Sequence, residues 1–441
     1  MSCRFILSLT LLISSLWSID AQSFRERRET VQHQLGPRSA MILTTAEEYN
    51  RNGDVDHPFR PNSDYWYLSG HHEPMGRLIL LGPDFLSEDE IQFKDEIIFT
   101  RRRNAYAEVW TGKRLGITGV KEQLGFSYAE VSDSFRVVLD KVLPLVDTVY
   151  VNLSNYMYHG PSKLEPEFLN DEELSKLHIS HAGEIIHPLR HLKSREEIDL
   201  IQRAVDITGE GLMSAMKRTR PKLNEYNIQA AIEFTFFDLG SRRLGFPSIV
   251  GSGSNTTILH YIDNNRTMED GDLLLMDVGA EYEMYTADVT RTIPVNGKFT
   301  PAQRELYTYV LEAQTVAFDS IRSGMTLRKD LHNIAKNYLE EKGFGRYFIH
   351  GLGHWLGLDV HDVGGRQAKI EPGTVFTIEP GIYIAENDTT APLKYRGIGI
   401  RIEDDVLMTE DGPVWLSADI PREVDDIERM MKRRWRIKKG R

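Results

Sequence analysis

The chain has 441 residues, of which 41% are hydrophobic and 27% are charged. This composition is ordinary for a soluble globular protein, and the length is sufficient for two domains, each with its own hydrophobic core. The formal net charge of −12 argues against a general role in nucleic-acid binding. An acidic balance is compatible with attraction of metal cations or of the protonated amino terminus of a peptide.

The N-terminal segment has the pattern of an export signal. A basic residue precedes an apolar run from Phe5 to Trp17, and this run is too short to span a bilayer. With cleavage after Ala21, residues 1–21 predict a signal peptide, and we expect an exported protein, periplasmic or secreted, without a stable membrane span. A retained membrane anchor or an organelle presequence is the alternative. Cys3 is the only cysteine, so the mature chain is expected to have no thiol for disulfides or catalysis.

Residues 24–187 alternate strand-like runs with helical patterns, which predicts an α/β domain. The strand-like runs are SAMILTT, GRLILLG, DEIIFT and DTVYVNL, and the helical patterns are SFRERRETVQHQL and SYAEVSDSFRVVLDKVL. The intervening segment HPFRPNSDYWYLSGHHEP is rich in turn-forming and aromatic residues, and it predicts a loop near the surface. A domain boundary is expected near Pro188.

Residues 190–428 predict helix pairs and strand pairs in alternation. Ser194 and Glu197 have the spacing of a capping box at the start of one helix, and a second helix, NEYNIQAAIEFTFFDLG, is expected to end at Gly240. The segment FPSIVGSGSNTTILHY predicts a strand, a glycine loop and a second strand, and two further helices and two further strands follow. This order indicates two related halves with a sheet between them. The basic tail, residues 429–441, predicts the solvated end of a final helix, with anionic lipid or a partner as the alternative ligand.

Five side chains in this second half predict a centre for two divalent cations. They are Asp277, Asp288, His354, Glu379 and Glu403. Oxygen-rich ligation with a single imidazole suits manganese, cobalt or zinc. Two such cations about 3.5–4 Å apart can share a hydroxide and stabilise a tetrahedral transition state. The pattern therefore indicates a dinuclear metallopeptidase.

The two aspartates are expected to lie opposite each other in a hairpin whose tip is near Tyr282 and Glu283. Facing residues of an antiparallel pair have Cβ atoms about 4.5–5.5 Å apart, and two carboxylates that close repel each other unless a cation lies between them. Taken singly, Asp277 or Asp288 can equally be a residue at a strand end that accepts hydrogen bonds from turn amides.

The other three candidates also have ordinary structural interpretations. His354, taken alone, is a packed or hydrogen-bonded histidine, but it shares the segment HGLGHWLGLDVHD with His350 and His361. Glu379 ends an apolar strand, where a carboxylate needs a partner. Glu403 shares a strand face with Arg401, and a surface Arg–Glu pair is the alternative there. Each signal is weak alone, and the set of five is specific.

The motifs around these residues resemble those of the Xaa-Pro aminopeptidases (aminopeptidase P) among the pita-bread metallopeptidases. The motifs are LLLMDVG, YTADVTRT, HGLGHWLGLDVHDVG, TIEPGIYI and YRGIGIRIEDD, and FRPNSDYWYLSG and AEVWTGKRLG resemble the first domain of the same family. The resemblance covers nearly the whole chain after the leader. It implies an α/β, creatinase-like N-terminal domain over residues 24–187 and an α+β pita-bread catalytic domain over residues 190–428.

The resemblance implies roles for the five candidate ligands. Asp277 matches a ligand of one metal only, Asp288 and Glu403 match the two bridging ligands, and His354 and Glu379 match ligands of the other metal. Two divalent metal ions per subunit are therefore expected, with manganese as the first expectation and cobalt or zinc as alternatives.

The resemblance also implies catalytic and substrate-binding side chains. The catalytic set is His260, His350, His361, Glu379 and Arg401. The set that contacts substrate is His350, Tyr383 and Trp110. Trp110 matches a pocket aromatic that reaches a neighbouring subunit's site in tetrameric relatives, so a homo-oligomer, either dimer or tetramer, is expected.

The implied reaction releases the N-terminal residue from peptides that have proline at the second position. A hydroxide shared by the two metals attacks the carbonyl before proline, and Glu379 relays the proton to the leaving prolyl nitrogen. His260 and His361 stabilise the carbonyl oxygen and the tetrahedral intermediate. Because proline has no amide N–H, its recognition must use the shape of the ring.

Two other functions fit parts of the sequence. Prolidase, the Xaa-Pro dipeptidase of the same fold, shares all five ligands, and the N-terminal motifs favour the aminopeptidase over it. A metal-free pita-bread binding module, or a metal-free hydrolase such as creatinase, is the alternative of a different class. Those relatives lose carboxylate ligands, whereas every ligand position is kept here.

Overall fold

A computed structural model describes residues 18–45, 48–83, 95–152 and 173–433. Most of the predicted signal peptide, including Cys3, and most of the predicted basic tail lie outside these residues. The contacts divide the chain into an N-terminal unit, Ile19–Arg190, and a C-terminal unit that begins at His191. Within the described ranges, no helix combines the length and the apolar content that crossing a membrane requires.

The N-terminal unit is built on a mixed six-stranded sheet. Its helices are α1 (Ala21–Gln34), α2 (Ser63–Ser69), α3 (Ala105–Thr111), α4 (Gly116–Leu124), α5 (Phe135–Val142) and α6 (Gly183–His191), the last of which ends at the junction. Its strands are β1 (Ser39–Thr44), β2 (Asn50–Asn52), β3 (Val55–Asp56), β4 (Arg77–Leu81), β5 (Glu96–Thr100), β6 (Ala129–Val131), β7 (Thr148–Val151) and β8 (His178–His181). The sheet order is β6-β5-β4-β1-β7-β8, and β2 and β3 form a separate hairpin.

The strands of this sheet supply the core of the unit. β1, β4 and β5 are antiparallel neighbours, whereas β6, β7 and β8 each join in parallel. The four predicted strands are confirmed as β1, β4, β5 and β7. The second predicted helix is only half correct, because Ala129–Val131 pairs with β5 and the helix begins at Phe135. The α/β class of this unit is confirmed.

The prediction of a surface loop over residues 57–74 is wrong at its centre. Ser63–Ser69 form helix α2, all seven residues of which are buried. The Asn62 side chain accepts from the amides of Asp64 and Tyr65, and Gly70 closes the helix at φ 64°. The residues that indicate turns are therefore the caps of a short helix, and its aromatic residues pack into the core.

The C-terminal unit consists of helices packed on several small antiparallel sheets. Its helices are α7 (Arg195–Arg218), α8 (Glu225–Asp238), α9 (Pro301–Asp319), α10 (His332–Glu341) and α11 (Val424–Lys432). Its strands are β9 (Arg243–Leu244), β10 (Ile249–Ser252), β11 (Leu273–Val278), β12 (Ala280–Tyr282), β13 (Tyr285–Thr286), β14 (Val289–Pro294), β15 (Val375–Ile378), β16 (Gly381–Ile384), β17 (Ile398–Arg401), β18 (Asp404–Thr409) and β19 (Gly412–Trp415). The sheets are β10-β11-β14, β13-β12-β9, β15-β18-β19 and β16-β17.

The two predicted helix pairs are confirmed in this unit, but the prediction of strand pairs around one sheet is wrong, because β9–β14 and β15–β19 follow the helix pairs and form several small sheets. α7 packs on α8 and α9 packs on α10, and one large hydrophobic cluster joins these helices to the sheets. The predicted capping box is present, since the Ser194 hydroxyl accepts from the Glu197 amide and the Glu197 carboxylate accepts from the Ser194 amide. α8 ends at Asp238 and Gly240 follows at φ 101°.

Two local predictions in this unit are wrong. The second strand expected at ILHY is absent from the described structure, where the 3-10 turn Gly253–Thr257 is followed by irregular backbone. The aspartate hairpin is also out of the expected register, because Asp277 pairs with Thr290 and Val278 pairs with Val289. The hairpin tip lies one residue later than expected, at Glu283 and Met284, whose positive φ angles of 44° and 76° form the turn. This shift of the tip changes the partner of Asp277 from Asp288 to Thr290.

Candidate metal centre

The β11–β14 pair brings the two aspartates to one face of a sheet. Asp288 precedes β14 by one residue and lies two residues before Thr290, the partner of Asp277. Because side chains alternate across a strand, residues two apart share a face, so Asp277 and Asp288 are diagonal neighbours. Gly279 has no room for a Cβ atom, which would collide with the Ala287 carbonyl oxygen. The prediction that the aspartates face each other directly is therefore wrong, although they share a face.

The histidine segment lies along β15, and this contact brings His354 beside Glu379. The His354 amide donates to Thr377 Oγ1 at 3.2 Å, and the Thr377 amide donates to the His354 carbonyl at 2.9 Å. The Glu379 amide donates to the Leu352 carbonyl at 2.7 Å. Gly353 lies against the Thr377 carbonyl, where a Cβ atom would collide. The glycine in GLGH thus permits the close approach that sets the imidazole beside the carboxylate.

The imidazole of His354 lies among three carboxylates. His354 Nε2 is 3.3 Å from Asp288 Oδ2, 3.8 Å from Glu379 Oε1 and 3.9 Å from Glu403 Oε1. One ligand atom from each of Asp288, His354 and Glu403 falls within 4.8 Å of the other two. The structure therefore brings together four of the five side chains from distant positions in the chain.

Asp277, the fifth side chain, is held by a hydrogen-bonded ion pair with Arg401. Arg401 Nη2 donates to Asp277 Oδ2, and Arg401 Nη1 donates to the Tyr383 hydroxyl at 2.8 Å. Arg401 is 3% exposed and Glu403 is 1% exposed. These values exclude the alternative of a surface Arg–Glu pair.

The residues present fit a divalent cation. Three buried carboxylate oxygens, Asp277 Oδ1, Asp288 Oδ1 and Glu403 Oε1, have no hydrogen-bond partner. A buried carboxylate oxygen without a donor is costly, and a cation relieves that cost. Three carboxylate groups with free oxygens beside one imidazole are a donor set for an ion of the manganese, cobalt or zinc type.

The protonation of the cluster supports the same interpretation. Burial raises the pKa values of Asp288 and Glu403 well above the usual range, and neighbouring carboxylates raise them further. Burial also raises the pKa of Glu379 to about 8 and lowers the pKa of His354 to about 3. The imidazole is therefore neutral at physiological pH, as a metal ligand must be. The carboxylates favour their ionised form once a cation is close.

The other histidines named by the sequence surround this cluster. His350 Nε2 lies 2.9 Å from the Tyr383 hydroxyl, and His350 Nδ1 lies 3.6 Å from Glu379 Oε2. Burial lowers the pKa of His350 to about 3. The His361 ring meets the His354 ring edge to face, with centroids 4.3 Å apart. His361 is more exposed than the ligands.

The last two predicted residues, His260 and Trp110, lie on exposed segments. His260 follows the 3-10 turn Gly253–Thr257. Burial lowers the pKa values of His350 and His361, and the proximity of His260 lowers them further. Trp110 belongs to α3 in the N-terminal unit, where it is 74% exposed.

Sequence reasoning missed two side chains that support the ligands. The Thr290 hydroxyl donates to Glu403 Oε2 at 2.8 Å and accepts from Arg401 Nε at 3.1 Å. Asp405 is fully buried and accepts from the Asp288 amide at 3.1 Å. Alternation in DVTRT places Thr290 on the ligand face, and the acid run EDD extends past Glu403, so both signals were present in the sequence.

Two family models match the chain. Residues 24–150 match the model described as aminopeptidase P, N-terminal domain, and residues 199–410 match metallopeptidase family M24. The chain is 39% identical over 431 residues to the Xaa-Pro aminopeptidase of Haemophilus influenzae, an alignment that covers 93% of this chain and 97% of that protein.

Solved structures show the same similarity. A variant of Escherichia coli aminopeptidase P in complex with substrate matches with a TM-score of 0.85 and 37% identity, covering 94% of this chain and 99% of that one. A zinc-substituted form of the E. coli enzyme in complex with product matches with the same TM-score, identity and coverage. The predicted architecture, an α/β N-terminal domain followed by a pita-bread domain, is confirmed.

Proposed function

The chain belongs to metallopeptidase family M24 and is a metal-dependent aminopeptidase, and from this premise we propose that it removes the N-terminal residue from peptides with proline at the second position. The observation that carries the proposal is the meeting of His354 with Asp288, Glu379 and Glu403 within 4 Å. The proline preference is supported by the relative from H. influenzae, an Xaa-Pro aminopeptidase.

We propose that the centre holds two cations. Asp277 would bind one, His354 and Glu379 would bind the other, and Asp288 and Glu403 would bind both. The unpartnered oxygens Asp277 Oδ1, Asp288 Oδ1 and Glu403 Oε1 support this division. When bound, the cations supply Lewis acidity and lower the pKa of a water molecule toward neutrality.

Glu379 is the proposed proton carrier. Its Oε1 atom faces the ligand imidazole at 3.8 Å and its Oε2 atom faces His350 at 3.6 Å. The carboxylate thus lies between the ligand cluster and a second histidine, where it can accept a proton from the attacking water and deliver it to the leaving prolyl nitrogen.

The surrounding side chains orient the substrate. His361 and His260 are proposed to donate to the carbonyl oxygen as negative charge develops on it. His350 and Tyr383, 2.9 Å apart, would form a wall against the proline ring, and Trp110 would supply a further aromatic contact to the site of a neighbouring subunit. Arg401 fixes Asp277 and Tyr383 in relation to each other.

Three further features belong to the proposal. Manganese is the proposed metal, with cobalt and zinc as alternatives, and a zinc-substituted E. coli relative supports the choice of a transition metal. Export through the N-terminal segment and assembly into a homo-oligomer are proposed from the sequence.

Peptide assays with metal analysis test the proposal. The purified chain, stripped of metal and reloaded separately with manganese, cobalt or zinc, is offered an Xaa-Pro dipeptide, an Xaa-Pro-Xaa tripeptide and an Xaa-Ala-Xaa tripeptide. We expect release of the first residue from the proline tripeptide, fastest with manganese, and slow cleavage of the other two. Preference for the dipeptide would assign prolidase activity instead, and equal cleavage of the proline and alanine tripeptides would overturn the proposed specificity.

A further inference from the structure

A second buried carboxylate, outside the metal centre, accepts an unusually complete set of hydrogen bonds. Glu225 is the first residue of α8 and is 0% exposed. Its Oε1 atom accepts from the Ser252 amide at 2.6 Å, the Ser252 hydroxyl at 2.7 Å and Asn255 Nδ2 at 3.2 Å. Its Oε2 atom accepts from the Tyr261 hydroxyl and from the Arg266 amide, each at 2.9 Å.

All five donors lie on one segment of the chain, residues 252–266. The Glu225 amide also donates to the Arg266 carbonyl at 3.0 Å, so the glutamate is bonded to the beginning, middle and end of this segment. The segment has no strand partner over most of its length. Over that length its conformation depends on side-chain hydrogen bonds, which include those of Glu225 and those that Asn264 makes to Gln229 and to the Ser248 carbonyl.

The same segment carries His260 beside Tyr261. His260 is exposed, and its ring makes no hydrogen bond to any residue that the structure describes. The backbone of the segment, more than contacts of the ring, must therefore set the position of the imidazole.

The segment also contacts the strand that carries Arg401. The Gly399 amide donates to Thr256 Oγ1 at 2.9 Å, and Arg401 Nη2 lies 3.5 Å from the Leu259 carbonyl oxygen. A Cβ atom on Gly399 would collide with the Thr256 carbonyl. A shift of the segment would thus move His260 relative to Arg401 and the ligand cluster.

We propose that Glu225 is a positioning residue for the reaction, because it fixes segment 252–266 and thereby places the His260 imidazole at the metal centre. This inference rests on the proposed function, in which His260 donates to the substrate carbonyl oxygen. A carboxylate suits the task, since both of its oxygens accept hydrogen bonds and neither donates, and since it lies at a helix start, where negative charge is favoured.

The substitution Glu225→Gln tests the inference with little change in shape. The glutamine amide keeps one acceptor oxygen and replaces the other with an NH2 group, which cannot accept. At least two hydrogen bonds from the segment are therefore lost, and the segment should loosen. We expect kcat to fall about 10- to 100-fold because of the displaced imidazole, with little change in KM and with unchanged metal content. Amide hydrogen exchange over residues 252–266 should become faster.

A double-mutant cycle with His260→Ala separates positioning from general damage. If Glu225 acts through His260, then Glu225→Gln should cost less than about 3-fold in a chain that already has His260→Ala, since the two residues act as a unit. Glu197→Gln is the matched control, because Glu197 is also a buried glutamate in the first turn of a helix, and it accepts from the Ser194 amide and the Tyr285 hydroxyl, neither of which lies in the segment. It should leave kcat and the exchange of residues 252–266 unchanged.

The outcomes are distinguishable. Full activity in Glu225→Gln, or equal loss from Glu225→Gln with and without His260, would overturn the inference while leaving the proposed function in place. Full activity in His260→Ala would instead contradict the role of His260 in the proposed function. A loss of activity in Glu225→Gln with no faster exchange in residues 252–266 would also overturn the positioning role.

Discussion

The buried acids Asp404 and Glu403 are consecutive in the C-terminal unit, but their carboxylates differ in hydrogen bonding. The Asp404 carboxylate is 0% exposed, and it accepts from Arg291 at 2.6 Å, Ser417 at 2.5 Å and Gln314 at 2.9 Å. One residue earlier in the chain, Glu403 keeps a buried oxygen that has no donor. The negative charge of Asp404 is therefore balanced within the protein, by the guanidinium of Arg291.

The difference separates structural acids from ligands. A buried ion pair with full hydrogen bonding maintains the fold, whereas a buried carboxylate with an unpartnered oxygen requires a cation or a proton. By this criterion Asp404 belongs to the scaffold, and Asp288 and Glu403 belong to the metal centre. Asp405 Oδ1 also lacks a donor, and burial raises the pKa of Asp405, so this supporting acid favours a proton. Substitutions in the metal centre should therefore reduce activity, whereas substitutions around Asp404 should reduce stability.

The largest expected effect is the loss of activity in Asp288→Asn. The variant lacks one charge of the proposed metal centre, and we expect kcat/KM to fall about 100- to 1000-fold, which corresponds to about 3–4 kcal/mol. Because neighbouring carboxylates repel Asp288, the metal-free variant should unfold at a higher temperature than the metal-free wild type. Activity and thermal unfolding, with and without chelator, measure both effects.

The exposed acid Asp419 offers the control, and Asp419→Asn should change neither activity nor metal content. Near wild-type activity of Asp288→Asn under limiting metal would count heavily against the assignment of the centre.

The substitution Arg291→Met, beside Asp404, should destabilise the metal-free protein, whereas Asp288→Asn should stabilise it. Arg291 is fully buried, and it donates to the Glu403 carbonyl at 2.7 Å as well as to Asp404. Its loss leaves the buried Asp404 carboxylate without its hydrogen-bonded cation and with only Arg422, 3.6 Å away, which should lower the free energy of unfolding by about 3–5 kcal/mol. Urea denaturation of the metal-free proteins measures this change.

Arg304→Met is the comparison for Arg291→Met. Arg304 is 41% exposed and pairs with Glu428 at 3.1 Å, so its loss should cost about 0–1 kcal/mol. Equal destabilisation by the two substitutions would show that the buried pair has no special weight in the scaffold.

A smaller effect is expected from Thr290→Val, which keeps the shape of the side chain. The Thr290 hydroxyl engages Glu403 Oε2 and leaves Oε1 toward the centre. Loss of such a supporting hydrogen bond typically costs about 10- to 100-fold in metal affinity. Calorimetric titration of the metal-free protein measures this affinity, and Thr290→Ser should retain most of it. Wild-type affinity in Thr290→Val would remove Thr290 from the centre.

The smallest expected effect is a pH dependence that bound metal reverses. Burial raises the pKa values of Asp288, Glu403 and Glu379, the last to about 8. The folded, metal-free protein therefore binds more protons than the unfolded chain, and its stability falls as pH rises toward 8. His350 and His354 have lowered pKa values and act in the opposite sense, but only below their ordinary value of 6.5.

Thermal unfolding between pH 6.5 and 8, with chelator and with manganese, tests this pH dependence. The metal-free protein should lose stability over this interval, and the stabilisation by manganese should increase. If stability with chelator stays constant across the interval, the carboxylates are neutralised by some other group.

The sequence predicted best what depends on local pattern. The capping box at Ser194 follows from residue types at fixed spacing. The set Asp288, His354 and Glu403 was also found from the sequence, and the structure brings these side chains together.

What the sequence could not predict depends on tertiary partners. The turn-forming residues around Asn62 are the caps of a buried helix, and this helix is buried because Tyr65, Trp66 and Tyr67 pack into the core. The register of Asp277 depends on the position of the turn at Glu283 and Met284, which alternation alone does not reveal. Glu225 appears ordinary in the sequence, and its importance comes from partners farther along the chain.

Calorimetric titration of the metal-free wild type with manganese, in parallel with Asp288→Asn, tests the central claim most directly. That claim is that the unpartnered oxygens of Asp277, Asp288 and Glu403 exist to bind cations. It predicts two ions bound per chain in the wild type and at least one fewer, or far weaker binding, in the variant. Wild-type protein that binds no manganese, cobalt or zinc, or a variant that binds two ions as tightly as the wild type, would contradict it.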